Sequence, residues 1–98
     1  MLIVLVKMVV RKTDTPHFRT LLLANAATSL SEVGCSYFSV AENQHQTAGE
    51  DTFLLYEEYR DREAFNTHLQ TEHFLAFDAQ TAAMLLSKDV QFYDLIQK

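Results

Sequence analysis

The sequence predicts an α+β domain of the ferredoxin-like, split-βαβ type, in which helices cover one face of a four-stranded antiparallel sheet. Three observations lead to this fold. Strand-like and helix-like segments follow one another in the order βαββαβ. The chain of 98 residues has the length of a single domain, residues 1–98. Large apolar residues lie on both faces of several predicted strands, although the helices can cover only one face.

The first strand and the first helix are marked by composition and by helix-start signals. Leu2–Val10 is rich in β-branched residues and apolar on both faces, which is typical of a strand covered on two sides. Polar cap candidates at 13–15 precede Pro16, which favours a helix start, and Gly34 marks the turn that follows. The helix is predicted to run to about Leu30, with an inner stripe of Phe18, Leu21, Leu22 and Ala26.

The next two strands are predicted from alternation. Cys35–Val40 alternates, with Cys35 and Phe38 on opposite faces. Residues 41–51 are polar and aperiodic, which indicates a loop. Thr52–Tyr59 is the third strand, and it directs Tyr56 to one face and a pair of residues to the other, namely Glu57 and Tyr59.

The last third of the chain predicts two short helices and a strand. Asp61 is an N-cap for the first helix, and Thr71 caps the second after a break near Gln70. The second helix is expected to present one face made of Phe74, Phe77, Thr81 and Leu85. Asp89–Lys98 is the predicted last strand, with one face made of Val90, Phe92 and Ile96.

Composition narrows the partners and the compartment. The net charge is −5 and no Lys/Arg cluster is present, so nucleic acid and anionic membranes are not expected partners. No apolar stretch approaches the roughly 18 residues that a membrane helix needs. The single Cys35 cannot form an internal disulfide, which favours the cytoplasm. The uncovered sheet face predicts a homodimer in which two sheets pack face to face as a dimeric α+β barrel.

The stretch from Tyr56 to Phe74 carries a specific pattern. It reads Tyr56-Glu57-x-Tyr59-x-Asp61, followed by Ala64, His68, Thr71, His73 and Phe74. Upstream, Gly34-Cys35 and then Phe38-x-Val40 complete it. Together these residues resemble the antibiotic biosynthesis monooxygenase family over about Leu2 to Ile96. That family includes quinol monooxygenases, small polyketide monooxygenases and an isomerase of autoinducer-2 degradation.

The resemblance implies a dimeric barrel that oxygenates a small aromatic or quinol-type substrate without a cofactor. It does not extend to haem degradation, because the chain has no Trp and Lys7 stands where the haem-degrading relatives carry an Asn. The sequence also shows no glycine-rich phosphate loop and no metal-ligand cluster. We therefore expect neither a metal nor another cofactor.

Two histidines are the candidate catalytic residues. His68 and His73 are five residues apart across a helix break, whereas a zinc pair on one helix face has a spacing of four. His73 is the preferred general base, because the N–H groups and dipole of a helix N-terminus disfavour an imidazolium there. The alternative is that both rings are structural and pack the helix break onto the third strand, and for His68 this alternative is preferred.

Seven further residues are candidate substrate contacts: Tyr56, Tyr59, Glu57, Asn66, Phe65, Phe74 and Lys7. The tyrosines, Glu57 and Lys7 could hold a substrate oxygen or anion, and the phenylalanines could enclose an aromatic ring. Each has a structural alternative: the aromatic residues as core, Glu57 as a paired carboxylate, Lys7 as a cation reaching the sheet edge, and Asn66 as an exposed polar residue.

Three functions remain open at this stage. The first is a cofactor-independent monooxygenase with a His general base in a pocket between sheet and helices. The second is an isomerase-type proton-transfer enzyme that acts on a small oxygenated metabolite. The third is a non-enzymatic binder of a small hydrophobic metabolite, since fold alone does not determine function.

Overall fold

The computed structural model describes residues 1–44 and 48–98, and it confirms the predicted ferredoxin-like fold. The strands pair antiparallel in the order β2-β3-β1-β4. The strands and α-helices are β1 (Leu2–Arg11), α1 (Thr15–Ser29), β2 (Cys35–Glu42), β3 (Glu50–Tyr59), α2 (Arg62–His68), α3 (Glu72–Thr81) and β4 (Leu85–Asp94), and short 3-10 turns precede α1 and β4. The second helical segment is split in two, as the cap signals predicted.

The helices cover one face of the sheet. Side chains alternate between the two faces of a strand, so the even-numbered residues of β1 all point to the same side. Val4 and Val10 are fully buried there, together with Phe18 and Leu22 of α1 and Phe53 of β3. This packing forms the hydrophobic core of the chain.

Side-chain caps fix the starts of the two short helices. The Asp61 carboxylate accepts a hydrogen bond from the Ala64 amide at 2.8 Å, and the Thr71 hydroxyl accepts one from the Phe74 amide at 3.3 Å. Both caps confirm the prediction. At α1, Pro16 stands in the first turn as expected, but Asp14 makes no capping bond with its side chain.

Three local predictions need correction. The predicted helix face does not extend to Leu85, because α3 ends at Thr81 and β4 begins at Leu85, four residues earlier than Asp89. Ile96 lies beyond β4 and is exposed. The pairing of β2 with β3 shifts between Cys35 and Tyr37, and this irregularity lets Cys35 point into the core.

The predicted loop is shorter than expected. β2 extends to Glu42 and β3 begins at Glu50. Residues 45–47 of that loop lie outside the described residues. Within the described part of the chain, none of the helices has both the length and the apolar composition that crossing a membrane would require.

Gly34 marks a close approach between the turn after α1 and helix α2. A Cβ atom at this position would stand 2.4 Å from Cβ of Ala64. The Gly34 carbonyl also accepts a hydrogen bond from the Arg60 amide at 2.8 Å. Glycine is therefore required here so that the turn and the helix can touch.

We predict that Gly34→Ala lowers the free energy of unfolding by about 1–3 kcal/mol through overpacking. Chemical denaturation of a double-mutant cycle measures this effect. In an Ala64→Gly background the same substitution should cost less, because the opposing methyl group is gone. An equal cost in both backgrounds would show that the contact with Ala64 is not the cause.

Candidate active site

A small cavity lies between the sheet and the helices. Its volume is about 60 Å³, enough for a few water molecules or part of a small ligand. Its walls are mainly apolar and include Met8, Leu55, Phe65, Phe74 and Phe77. Four polar side chains also line it, namely Asn25, Glu57, His68 and Lys88. An apolar cavity with a few convergent polar groups is the usual form of a small-molecule site.

Glu57 is a buried carboxyl group on β3 at the wall of the cavity. The Tyr59 hydroxyl donates a hydrogen bond of 2.6 Å to its Oε1 atom. Burial raises the pKa of Glu57 to about 7, against the opposing effect of that hydrogen bond. Burial and the adjacent Glu57 also raise the pKa of Tyr59, so the phenol stays protonated and remains a donor. Near neutral pH, Glu57 can thus either give or take a proton.

His68 ends helix α2 and is enclosed by aromatic rings. Its ring centroid lies 5.1 Å from that of Phe74 and 5.5 Å from that of Tyr59. Burial lowers the pKa of His68, although the hydrogen bond to Glu32 opposes this shift, so a neutral imidazole is favoured.

Glu32 determines which ring nitrogen of His68 carries the proton. The Nδ1 atom lies 2.7 Å from Oε2 of Glu32. Because a carboxylate can only accept, Nδ1 is the donor and Nε2 keeps its lone pair. Among the described residues, Nε2 has no hydrogen-bond partner of its own, and the ring lines the cavity. His68 therefore has an acceptor nitrogen on a ring that lines the cavity.

The same oxygen of Glu32 also contacts His73. The Nε2 atom of His73 lies 2.7 Å from Oε2, so one carboxylate joins two imidazoles. Backbone bonds hold the Glu32 turn on both sides, since its amide donates to the Ser29 carbonyl and its carbonyl accepts from the Cys35 amide. Glu32, His68 and His73 are also, within the described residues, a group whose atoms could ligate a metal ion.

Asn25 and Lys88 complete the polar wall. The Oδ1 atom of Asn25 is buried and has no hydrogen-bond partner among the described residues. Leaving a buried polar group unpaired costs about 1–3 kcal/mol of folding free energy. The Asn25 oxygen is therefore an acceptor at the cavity wall that is available to a bound molecule. Lys88 lies 5.7 Å above the Phe74 ring and near Asp78, and its positive charge favours the ionised form of Glu57.

The structure separates the predicted site residues into three groups. His68, Glu57, Phe65 and Phe74 line the cavity, and Tyr59 stands behind Glu57. His73 instead lines a groove between α1 and α3, beyond Glu32. Tyr56 and Lys7 lie on the helix-free sheet face, and Asn66 is exposed on α2, so these three stay away from the cavity.

Sequence reasoning missed three residues that line the cavity or contact its histidine: Asn25, Glu32 and Lys88. A signal existed for Asn25, because it interrupts the buried stripe of α1 between Leu22 and Ala26. No local signal marks Glu32, whose partners lie 36 and 41 residues further along the chain. Lys88 was missed because β4 begins earlier than predicted.

Cys35 carries no reactive thiolate. It is buried in the core, and burial raises the pKa of its thiol to about 11. The thiol is therefore protonated at neutral pH, in agreement with its predicted role as a small core residue.

Fold and site together define a ferredoxin-like α+β domain with a histidine at the wall of a small, mainly apolar cavity. The model of the antibiotic biosynthesis monooxygenase family matches residues 1–80. The chain belongs to this family, as the motif from Tyr56 to Phe74 predicted. No curated protein matches the sequence.

Several solved structures share the fold. A candidate antibiotic biosynthesis monooxygenase from Nitrosomonas europaea superposes with a TM-score of 0.91 at 22% identity, covering 99% of this chain and 100% of that one. A Mycobacterium tuberculosis protein has a TM-score of 0.87 at 26% identity, with 99% and 96% covered. A Pseudomonas aeruginosa protein has a TM-score of 0.88 at 24% identity, with 98% and 94% covered.

We predict that Glu57→Gln stabilises the protein more at pH 8 than at pH 4.5. The pKa of Glu57 is raised from 4.5 to about 7 in the folded chain. The protonated carboxyl group therefore contributes to the free energy of unfolding fully below pH 4.5, and this contribution is lost as the pH rises through 7. The free energy lost in this way is at most about 3 kcal/mol. Glutamine cannot ionise and retains an acceptor for Tyr59.

Denaturant titrations of both proteins between pH 4.5 and pH 8 measure the difference. Glu63→Gln, on the exposed surface of α2, is the matched control and should show no such pH trend. A constant difference between wild type and Glu57→Gln across this range would contradict the raised pKa.

Proposed function

We propose that this protein is a monooxygenase that acts without a cofactor on a small electron-rich aromatic substrate of the hydroquinone or anthrone type. The observation that carries the proposal is the pairing of Glu32 with His68, which presents an imidazole acceptor to an apolar cavity. Membership in the antibiotic biosynthesis monooxygenase family supports the same class of chemistry.

The first step of the proposed reaction is removal of a proton by Nε2 of His68, from a hydroxyl group of a hydroquinone or from the ring methylene of an anthrone. Glu32 holds the ring in the required tautomer and stabilises the imidazolium that forms. The sequence favoured His73 as this base. We assign the role to His68 instead, because His73 lies on the far side of Glu32 and does not line the cavity.

The second requirement is stabilisation of the substrate anion. Protonated Glu57 can donate a hydrogen bond to the anionic oxygen, and Lys88 supplies a positive charge at the same wall. The anion then reduces dioxygen with its own electrons: one oxygen atom enters the substrate and the other leaves as water. Phe65 and Phe74 would contact the part of the substrate that enters the cavity and limit water there.

A proton-transfer isomerase is the second candidate. It is favoured by the presence of two groups with different proton affinities, His68 and Glu57, at the same cavity. Such a pair can take a proton from one carbon or oxygen of a substrate and return it to another. Dependence on dioxygen separates this reaction from oxygenation.

We further propose that the protein works as a homodimer in the cytoplasm. The helix-free sheet face leaves large apolar side chains exposed, among them Tyr37, Leu54 and Tyr93. Their position on three strands of the same sheet face supports pairing with the same face of a second copy. The single, free cysteine fits a reducing compartment.

We expect His68→Gln to reduce oxygen uptake by about 10²–10⁴-fold, the usual contribution of a general base. The measurement is uptake by chelator-treated protein with a panel of small hydroquinones and anthrones, corrected for autoxidation in buffer. His17→Gln is the matched control, because His17 is exposed at the start of α1. Full uptake in the His68 variant would remove the central residue of the proposal.

We expect Leu54→Asp to convert the dimer into monomer or aggregate, because it places a charge on the helix-free sheet face. Leu23→Asp is a matched control: Leu23 lies on α1 and is 50% exposed, against 47% for Leu54. Size-exclusion chromatography with light scattering measures the mass. A folded, monomeric wild type at micromolar concentration would refute the dimer.

A further inference from the structure

Three potential metal-ligand atoms meet at the junction of α1, α2 and α3. Glu32, His68 and His73 each offer one ligand atom within 4.8 Å of the others, and Nδ1 of His68 and Nε2 of His73 both lie 2.7 Å from Oε2 of Glu32. We propose that these atoms form a binding site for a divalent transition-metal ion of the Zn²⁺ class. The sequence argued against a metal because no third Cys or His lies near His68 and His73 in the chain, and the third ligand is a carboxylate from a distant turn.

The donor set fits such an ion. Two imidazoles and one carboxylate leave at least one coordination position open, which is the pattern of accessible zinc sites. His68 is almost fully buried, whereas His73 and Glu32 are partly exposed, with 21% and 14% of their side chains accessible. An ion can therefore reach the three atoms from the side of His73.

Only a small rearrangement is needed to admit the ion. Both histidine nitrogens now lie 2.7 Å from the same oxygen of Glu32. Two bonds of about 2.1 Å at a tetrahedral angle would place such atoms about 3.4 Å apart. A rotation of the Glu32 carboxylate and a small shift of the His73 ring supply the difference, while the backbone bonds of the turn stay in place.

Thr71 fixes the chain between the two histidines. Its hydroxyl donates to the His68 carbonyl at 2.7 Å, accepts from the Phe74 amide at 3.3 Å and lies 3.3 Å from Nε2 of His73. These bonds hold the turn between α2 and α3, from which His68 and His73 reach Glu32.

Metal binding would reverse the role of His68 at the cavity. In the metal-free protein Nδ1 carries the proton and Nε2 accepts. With the ion on Nδ1, the ring proton moves to Nε2, which then donates toward the cavity. No proton leaves the neutral ring, but the imidazole can no longer take one from a substrate. Metal binding would thus inhibit the proposed reaction by removing its general base.

The test is titration of chelator-treated protein with Zn²⁺ by isothermal calorimetry and with Co²⁺ by visible absorption. We expect one equivalent per chain and the intense visible bands of four- or five-coordinate Co²⁺. His73→Gln should weaken binding by about 100-fold or more, because even the loss of an outer partner costs 10–100-fold. Glu32→Gln should have the same effect, and His17→Gln should retain wild-type affinity.

The partly exposed position of His73 makes this variant the decisive one if Glu32→Gln fails to fold. Binding that is absent in the wild type, or that survives His73→Gln unchanged, would overturn the proposal. The titration needs no substrate, so its outcome is independent of the function proposed above. A protein that binds Zn²⁺ but takes up no oxygen would support the metal site and contradict only the proposed monooxygenase function.

Discussion

The central position of β1 is the constraint on which the rest of the structure depends. The strand pairs with β3 on one side and β4 on the other, so a single register fixes the whole sheet. Because successive side chains point to opposite faces, a slip of one residue would move Val4 and Val10 out of the core and bring Lys7 into it. The register of β1 thus determines which residues form the core, which line the cavity and which lie on the open sheet face.

The carboxylate of Glu32 organises the site within that framework. It belongs to a turn that two backbone bonds hold to Ser29 and Cys35, and Gly34 packs this turn against Ala64 of α2. From this fixed point it reaches both His68 and His73, which belong to different helices. Because the turn holds Glu32 in place, its carboxylate can orient the buried imidazole of His68 even in a chain this short.

The fold was predictable because its signals are local. The β-branched, apolar run of β1, the caps at Asp61 and Thr71 and the break between α2 and α3 all lie within a few residues of the features they define. The site was predictable only in part. The motif identified the family and drew attention to His68 and Glu57, but residue order could not show which histidine faces the cavity.

The errors have physical reasons. Leu85 continues the apolar spacing of α3, yet the chain leaves the helix at Thr81 and Leu85 pairs with Val10 in the sheet. Cys35 points inward because of an irregularity in strand pairing that has no signature in the residue pattern. The role of Glu32 depends on contacts across more than 30 residues, which only the tertiary structure brings together.

The edge position of β4 has a consequence for how such a protein can diversify. Lys88 and Val90 stand at the cavity, yet their strand is largely exposed and contributes little to the core. Substitutions there can reshape the cavity wall at small cost in folding free energy, since exposed positions tolerate exchange. Selection for new ligands can therefore act on one outer strand while the buried framework stays unchanged.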